Sequence, residues 1–429
     1  MSRAALPGFR DFYPQELAER AYVMDAWHEV ARRYGFVEYD GPPLEPLELY
    51  TAKSGEEIVG QLYVFEDKGG RKVALRPEMT PTFARMVGAR LNALRKPVRW
   101  YSTPQLFRYE RQQKGRLREH FQLNVDIVGE TDVAADAELL ALAIDVMREV
   151  GLTSSDVRAR VSDRRLLTAL LAHFEIPGKD QPLVYAVLDK LDREPRAELE
   201  QRLTDAGLSP RTVGSLFEAV AMKDVADLRV RLGGVRAMDA QFDDLERYLE
   251  LLGALGVRDW VQLDLSVVRG LAYYTGIVFE LFDTAGEFRA ICGGGRYDDL
   301  LATLGGTAAP ALGFGMGDVV LGELLRSRKL MPALEPAVDF WVASDDDALL
   351  PEVMSVAARL RAAGHSVEYS LKSQQLARQL KAATSAGAAQ VVILLLDQWN
   401  GGAGTMTVKT LADGSERVVR GDELFNSQV

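Results

Sequence analysis

Apolar residues recur at three- and four-residue spacing from the start of the chain, where Leu17, Ala21, Met24, Trp27, Ala31 and Tyr34 mark one stripe. That period predicts a helix from about Gln15 to Tyr34, with Gly35 as its stop. The period then changes. FVEYDGPPLEP reads as a short strand running into prolines, and LYVFEDKGGRKVALR as two strands joined by a turn at Asp67-Lys68-Gly69-Gly70. VRWYSTPQLFRYE and HFQLNVDIVG repeat the arrangement across a longer, basic loop. In the second of these strands Phe121, Leu123, Val125 and Ile127 alternate with Gln122, Asn124 and Asp126, so one face packs and the other is polar. On the first, Leu106, Arg108 and Glu110 share a face. In a suitable register Arg108 and Glu110 would stand beside Gln122 and Asp126 on one open surface, a binding face and not a core.

From about Asp163 to Leu255 the pattern is almost wholly helical, as in RRLLTALLAHF and QFDDLERYLELLGALG. Strands resume with VQLDLSVV and with IVFELFDTAGEFRAIC, whose Thr284-Ala285-Gly286 suggests a turn between antiparallel partners. The helical stretch therefore reads as an insertion into one continuous sheet. After Met331 to Pro336, strands and helices alternate (VDFWVA, LLPEVMSVAARLRAAG, SVEYSL, VVILLL), which marks a separate α/β domain. The expected fold is α+β: a first domain over residues 1–330 with an antiparallel sheet flanked by helices and an insertion at about 163–255, then an α/β domain over 337–429. Gly293 to Gly295 could be a dinucleotide loop, but the neighbouring strands look antiparallel where a Rossmann unit needs parallel ones.

Composition narrows the possibilities. A chain of 429 residues, 47% hydrophobic and 26% charged, fits a globular protein with more than one core. With neither a leader-like segment at the N-terminus nor a run of about 18 apolar residues, a cytoplasmic location is expected. Cys292 is the only cysteine, and His28, His120, His173 and His365 are scattered without metal-ligand spacing, so neither a disulfide nor a protein-held metal is expected. Each histidine reads as a surface or packing residue. A net charge of -11 opposes indiscriminate nucleic-acid coating, yet Arg108 to Arg118, RYERQQKGRLR, gathers five basic residues against one Glu. Such a run is either a solvated loop or a local anion site.

The polar sheet face offers carboxylates, an amide and arginines, with no Ser or Cys nucleophile held beside a His. The nucleophile should therefore come with the substrate. Activation of a carboxylate by ATP fits, because the substrate's carboxylate attacks the α-phosphate and the protein need only align the reactants and neutralise charge. Arg108 and Arg269 are the natural charge stabilisers. A magnesium ion carried mainly by the ATP phosphates would need no dedicated protein cage.

At these residues a resemblance emerges. FRYERQQKGRLREHFQLNVDIVG, Phe107 to Gly129, resembles the second signature motif of class II histidyl-tRNA synthetases. LRPEMT (Leu75 to Thr80) is similar to the family's amino-acid-binding turn, VVRGLAYYTGIVFE (Val267 to Glu280) to its histidine-recognition motif, and CGGGRYD (Cys292 to Asp298) to its glycine-rich floor. GFRD (Gly8 to Asp11) and the Pro42 region resemble its start and its dimer-forming first motif. The resemblance spans essentially the whole chain, including an insertion and a C-terminal domain like the one that reads the anticodon. It implies that Glu78 and Thr80 with Gln122 hold the α-amino group of histidine, that Asp126 and Tyr274 hydrogen-bond its imidazole, and that Met79 and Tyr273 complete that site. Arg108 and Arg269 would straddle the carboxylate and α-phosphate, Glu110 and Arg116 would lie nearer the rest of ATP, and Gln113 would meet the tRNA acceptor end. Histidine, ATP with Mg2+ and histidine tRNA are the implied ligands, and a homodimer the implied assembly.

Three positions depart from the commoner pattern. Ala272 stands where an Asp is more usual, Asp126 where Glu is more frequent, and Val320, in GFGMGDVVL, where the third motif normally places an ATP-binding arginine. RPEMTP with RGLAYYTGIVFE and GFGxGD resembles a branch seen in some bacteria and plant organelles. The Val320 departure also keeps open an alternative, a histidine-sensing regulatory subunit of ATP phosphoribosyltransferase with a synthetase-like fold. Against it stand the C-terminal α/β domain and the intact RQQKGRLRE loop.

Overall fold

The computed structural model describes residues 5–51, 60–110, 115–191, 193–232, 235–268, 273–304, 306–333, 338–399 and 404–426. The chain divides into two compact units, Met1–Pro332 and Ala333–Val429. No described helix is long and apolar enough to cross a membrane.

The first unit is built on a nine-stranded sheet among the described residues. Its strands run in the order Val37–Glu38, Val98–Ser102, Glu119–Val128, Ala311–Gly317, Cys292–Arg296, Ile277–Asp283, Val157–Asp163 and Val261–Leu263, while Gln105–Phe107 pairs with the start of Glu119–Val128. The interior pairings are antiparallel, as the alternation predicts. Both edges differ from that expectation: Val37–Glu38 and Val261–Leu263 each pair parallel with their neighbours.

A second difference concerns register. Glu119–Val128 has two successive partners, because the chain breaks at Thr103-Pro104 between Val98–Ser102 and Gln105–Phe107. Proline has no N–H to give the ladder. Gln105 therefore lies opposite Phe121 and the Arg108 amide donates to the Arg118 carbonyl, whereas Asp126 lies opposite Trp100. Arg108 and Glu110 are thus not beside Asp126. From Glu119 to Asp126 is seven residues, roughly 23 Å at about 3.3 Å per residue.

Leu123, Val125 and Ile127 point to one side and are fully buried in a core that also holds Trp27, Val30, Leu140, Ile144 and Leu321. Helices Pro14–Arg33, Val133–Glu149 and Asp318–Ser327 supply those residues, and Asp239–Ala254 adds Phe242, Leu245 and Leu252 to the same core. Each buried Leu or Ile stabilises this layer by about 1.5–3 kcal/mol. Asp132 caps Val133–Glu149 by accepting from the Ala134 amide. Fully buried Asp163 ends its strand and caps Arg164–His173 through the Arg165 and Leu166 amides, so one carboxylate turns the sheet into the helical insertion. The insertion continues as Gln181–Leu188, Arg196–Asp205, Pro210–Val220 and Val225–Arg231 before Asp239–Ala254 returns the chain to the sheet.

The second unit is a five-stranded sheet in the order Val367–Tyr369, Val338–Ser344, Ala388–Leu394, Thr405–Thr410 and Glu416–Arg420. The first three strands are parallel and the last two antiparallel. Alternation along Val338–Ser344 sends Phe340 and Val342 to one core with helix Leu350–Ala362, and Trp341 and Ala343 to another with Leu376–Ser385.

Candidate active site

The polar positions of the large sheet floor a cleft of about 800 Å³, within the size range of small-molecule sites. Gln122 and Asn124 come from one strand, Gly313 and Gly315 from the next, and Gly293 from the one after that. Glycine is required here by close approach. A Cβ on Gly315 would sit 2.9 Å from the Gln122 amide, and one on Gly295 2.6 Å from the Ile277 carbonyl and 3.0 Å from the Tyr274 ring. Cys292–Arg296 is therefore an interior antiparallel strand, which excludes the dinucleotide-loop reading.

The turn Arg76 to Thr80 forms one wall. Buried Arg76 fixes it, donating to the carboxylate of Asp40 at 2.8 Å, to the Gly41 carbonyl at 2.7 Å and to the Gln105 carbonyl at 3.0 Å. Glu78 and Thr80 line the cleft. The Tyr273 hydroxyl lies 3.4 Å from the Glu78 carboxylate, and Arg108 is steadied by donating to the Pro77 carbonyl at 2.9 Å. Glu78, Thr80, Arg108, Gln122, Tyr273 and Tyr274 are thus brought to one cleft. Met79 is not: it is fully buried, with its sulfur 3.9 Å from Arg76.

Asp126 also departs from the expected open face. It is 3% exposed and does not line the cleft; the Tyr297 hydroxyl, which does, donates to it. Burial pushes its carboxyl up to about 7, against the opposing effect of the Tyr297 bond. The rings of Tyr273, Tyr274 and Tyr297 cluster around this corner with centroids 5.0–6.5 Å apart. Behind Tyr297, buried Arg296 pairs with Asp136 at 2.5 Å and donates to the Glu130 carbonyl at 2.8 Å. This end offers a proton-carrying pair in an apolar setting.

The other end is cationic. Arg116 pairs with Glu110 at 2.8 Å, and both line the cleft together with Val320, Arg193 and Arg289. Val320 begins its place in the cleft from helix Asp318–Ser327, whose first residue, Asp318, accepts from Arg10 at 2.8 Å and from the Phe121 amide at 3.0 Å. Arg10, in GFRD, also donates to Glu119 at 2.6 Å and so ties the start of the chain to the floor strand. His120 is neither a plain surface nor a packing residue; it lines the cleft, and burial, then the charges of Arg108 and Arg10, pull its pKa down to about 3. It is neutral near pH 7. Arg269 and Gln113 lie outside the described residues.

The sequence reading missed Tyr297, His120, Arg193 and Arg289 as cleft residues. Tyr297 stood within the quoted CGGGRYD and Arg289 within IVFELFDTAGEFRAIC; Arg193 carried no local signal, since only folding brings the insertion to the sheet.

A mainly antiparallel sheet with helices on one face and a polar, arginine-lined cleft on the other is the architecture of the class II aminoacyl-tRNA synthetases. The family profile described as histidyl-tRNA synthetase matches residues 8–317. A histidine-tRNA ligase of Opitutus terrae is 45% identical over 91% of this chain and 90% of its own, and a chloroplastic/mitochondrial histidine-tRNA ligase of Arabidopsis thaliana is 40% identical over 97% and 85%. The crystal structure of histidyl-tRNA synthetase from a Nostoc species superposes with a TM-score of 0.85 at 26% identity, covering 99% of this chain and 98% of that one. The chain belongs to the histidyl-tRNA synthetase family. A Bacillus halodurans structure described as an ATP phosphoribosyltransferase regulatory subunit/histidyl-tRNA synthetase, at 23% identity and a TM-score of 0.76, shares the fold.

Proposed function

We propose that this chain is an aminoacyl-tRNA ligase that activates L-histidine with ATP and transfers it to the 3' end of histidine tRNA. The observation that carries the reading is the pairing, in one cleft, of an amino-acid corner with an arginine-lined corner. Glu78, with Thr80 and Gln122, takes the α-ammonium group. Tyr274 and Tyr297 face the imidazole, and Asp126 acts on it through Tyr297: when ionised it accepts a hydrogen bond from the Tyr297 hydroxyl and so orients the phenolic oxygen as acceptor for an imidazole N–H. An amino acid lacking that N–H would leave buried polar atoms unpaired.

Chemistry needs no protein nucleophile. A carboxylate oxygen of histidine bonds to the α-phosphorus of ATP, the bond from that phosphorus to the bridging oxygen breaks, and the electron pair leaves on pyrophosphate. Arg108, joined by Arg269 on the strength of its motif, offsets the charge that builds at the α-phosphate. Glu110 and Arg116 take the remainder of ATP, with Mg2+ arriving as part of that substrate. A ribose hydroxyl of the tRNA end then attacks the carbonyl carbon and AMP leaves; Gln113 is assigned to that acceptor end by its motif. The first unit is read as the catalytic domain with its insertion and the second as the anticodon-binding-like domain. A homodimer acting in the cytoplasm completes the reading. Exposed Leu44, Val64 and Phe65, on a three-stranded sheet of Leu44–Pro46, Lys72–Leu75 and Val64–Glu66, give it an apolar surface to pair, and sedimentation would report the assembly.

The test is charging of a histidine tRNA transcript by the purified chain with labelled histidine and ATP. Stable histidyl-tRNA is the expected product. Histidine binding without any charging would instead favour the histidine-sensing alternative that Val320 keeps open.

A further inference from the structure

Asp126 is buried with less company than a carboxylate needs. Among the described residues Tyr297 is its one hydrogen-bond donor, and that hydroxyl reaches Oδ1, the oxygen that a Cβ on Gly313 would also strike. Oδ2 is left for another donor. An ionised carboxylate has about four acceptor positions and is unfavourable to bury with only one of them filled.

Strand pairing shows what lies on its open side. In the antiparallel pair Val98–Ser102 and Glu119–Val128, Trp100 stands opposite Asp126 and Ser102 opposite Asn124. Ser102 and Asp126 are therefore diagonal neighbours on one face, roughly 7–8 Å apart. The edge strand extends the row: Val37–Glu38 pairs parallel with Val98–Ser102, and the Tyr39 amide donates to the Tyr101 carbonyl at 2.9 Å. The Tyr39 ring packs on Trp100 and on Phe83, each at a centroid distance of 5.5 Å, which holds it on the Asp126 side of the sheet.

Two hydroxyls end on this row. Tyr39 Oη and Ser102 Oγ are both buried, and neither completes a hydrogen bond. Burial and then the charge of Asp126 raise the Tyr39 phenol well above its ordinary value, with Ser102 opposing them, so the three groups sense one another. Unpaired buried polar atoms are rare, and three beside one another fit a small ligand that both donates and accepts. A water molecule has that chemistry. Accepting from Tyr39, donating to Asp126 Oδ2 and sharing a hydrogen with Ser102, it would make three hydrogen bonds, the usual number for a buried water.

Resting on the reading of this corner as the histidine pocket, we propose that a buried water binds between Tyr39, Ser102 and Asp126. Tyr39 is thereby a positioning residue for histidine recognition, acting through Asp126 and Tyr297 without touching the substrate. The bridge favours the ionised carboxylate, which keeps the Tyr297 hydrogen turned away from the cleft. Tyr297, with Tyr273 and Tyr274 packed beside it, and Tyr39 are the titratable groups around Asp126; Asp40 and Arg76, paired at 2.8 Å, act on Tyr39 from farther out.

The experiment is calorimetric titration of histidine, without ATP, into full-length wild type, Tyr39→Phe, Ser102→Ala and the double variant. It runs between about pH 5.5 and about pH 8.5, which brackets the carboxyl at about 7. The substrate's imidazole is common to all four profiles, so differences between them belong to the protein. Tyr39→Phe keeps the ring on Trp100 and Phe83 and removes only the hydroxyl. Without the bridge, the pH at which histidine affinity falls should move up by about one unit, a loss of roughly fivefold at pH 7 that shrinks to under about twofold at the alkaline end. Ser102→Ala should shift the midpoint the same way by less. The double variant should shift it no more than Tyr39→Phe, because both changes remove the same water. A crystal structure of the wild type at a resolution that shows ordered solvent should place a water within hydrogen-bond distance of all three groups. The proposal is overturned if the midpoint does not move in Tyr39→Phe, if the loss is equal at every pH, which would mark a structural role, or if no water is found there. Histidine binding without tRNA charging would count against the synthetase reading alone. Failure of the wild type to bind histidine would sink the pocket reading and with it the positioning role, while the crystal structure would still decide the water site.

Discussion

At its tyrosine corner the cleft buries a carboxyl, with Asp126 only 3% exposed behind Tyr297, while at its arginine corner the Arg116 side chain keeps 42% of its surface in water. The first corner acts through a few hydrogen bonds in a low dielectric, where a mismatched ligand leaves an unsatisfied group and is rejected. The second acts through charge that remains partly hydrated and adjustable, suited to a ligand that arrives with metal and leaves in pieces. Selectivity and turnover are thereby assigned to different residues, and substitutions should separate them.

The largest expected effect is on the support of the tyrosine corner. Arg296→Ala strands Asp136 in the core and should cost about 3–5 kcal/mol of stability, measured by urea denaturation of the first transition. A loss under about 1 kcal/mol would show that the pair does not hold this corner. Next comes Arg108, between the two corners. Replacing it with Ala should slow adenylate formation by on the order of 10²–10³ while histidine affinity changes little, as single-turnover kinetics and calorimetry would separate. Equal losses in both would make it a binding residue only.

Tyr297→Phe should raise the KM for histidine by roughly 10- to 100-fold and leave the KM for ATP alone. A matched rise in both would erase the distinction between the corners. The smallest effect is one of pH. With the Asp126 carboxyl at about 7, its ionised form is lost as pH falls through neutrality, so the KM for histidine should rise roughly tenfold between pH 8 and 6. The substrate's own imidazole titrates nearby, and subtracting the profile of Asp126→Asn isolates the protein group. Superimposable profiles would remove Asp126 from recognition. The same raised carboxyl has a stability consequence: the folded chain holds this proton where the unfolded one has released it, so its contribution weakens stability as pH rises from about 4 to about 7.

Much of this was legible in the order of residues. The alternation of Leu123, Val125 and Ile127 with Gln122 and Asn124 gave the floor strand and its two faces, and the three-to-four spacing gave helix Pro14–Arg33. Period alone could not show that Thr103-Pro104 splits the partner strand, because register depends on where pairing resumes. Nor could it show that Asp126, on the polar side, is roofed by Tyr297. Arg193 and Arg289 are 96 residues apart and meet at the cleft only through the path of the insertion.

Whether this cleft activates histidine and no other amino acid is decided by ATP–pyrophosphate exchange, run with the purified chain against each of the twenty amino acids and without tRNA. Exchange with histidine alone is the predicted result, since only its side chain satisfies the Tyr297–Asp126 corner while the arginines serve any adenylate. Equal exchange with a second amino acid, or histidine binding with no exchange at all, would contradict the account.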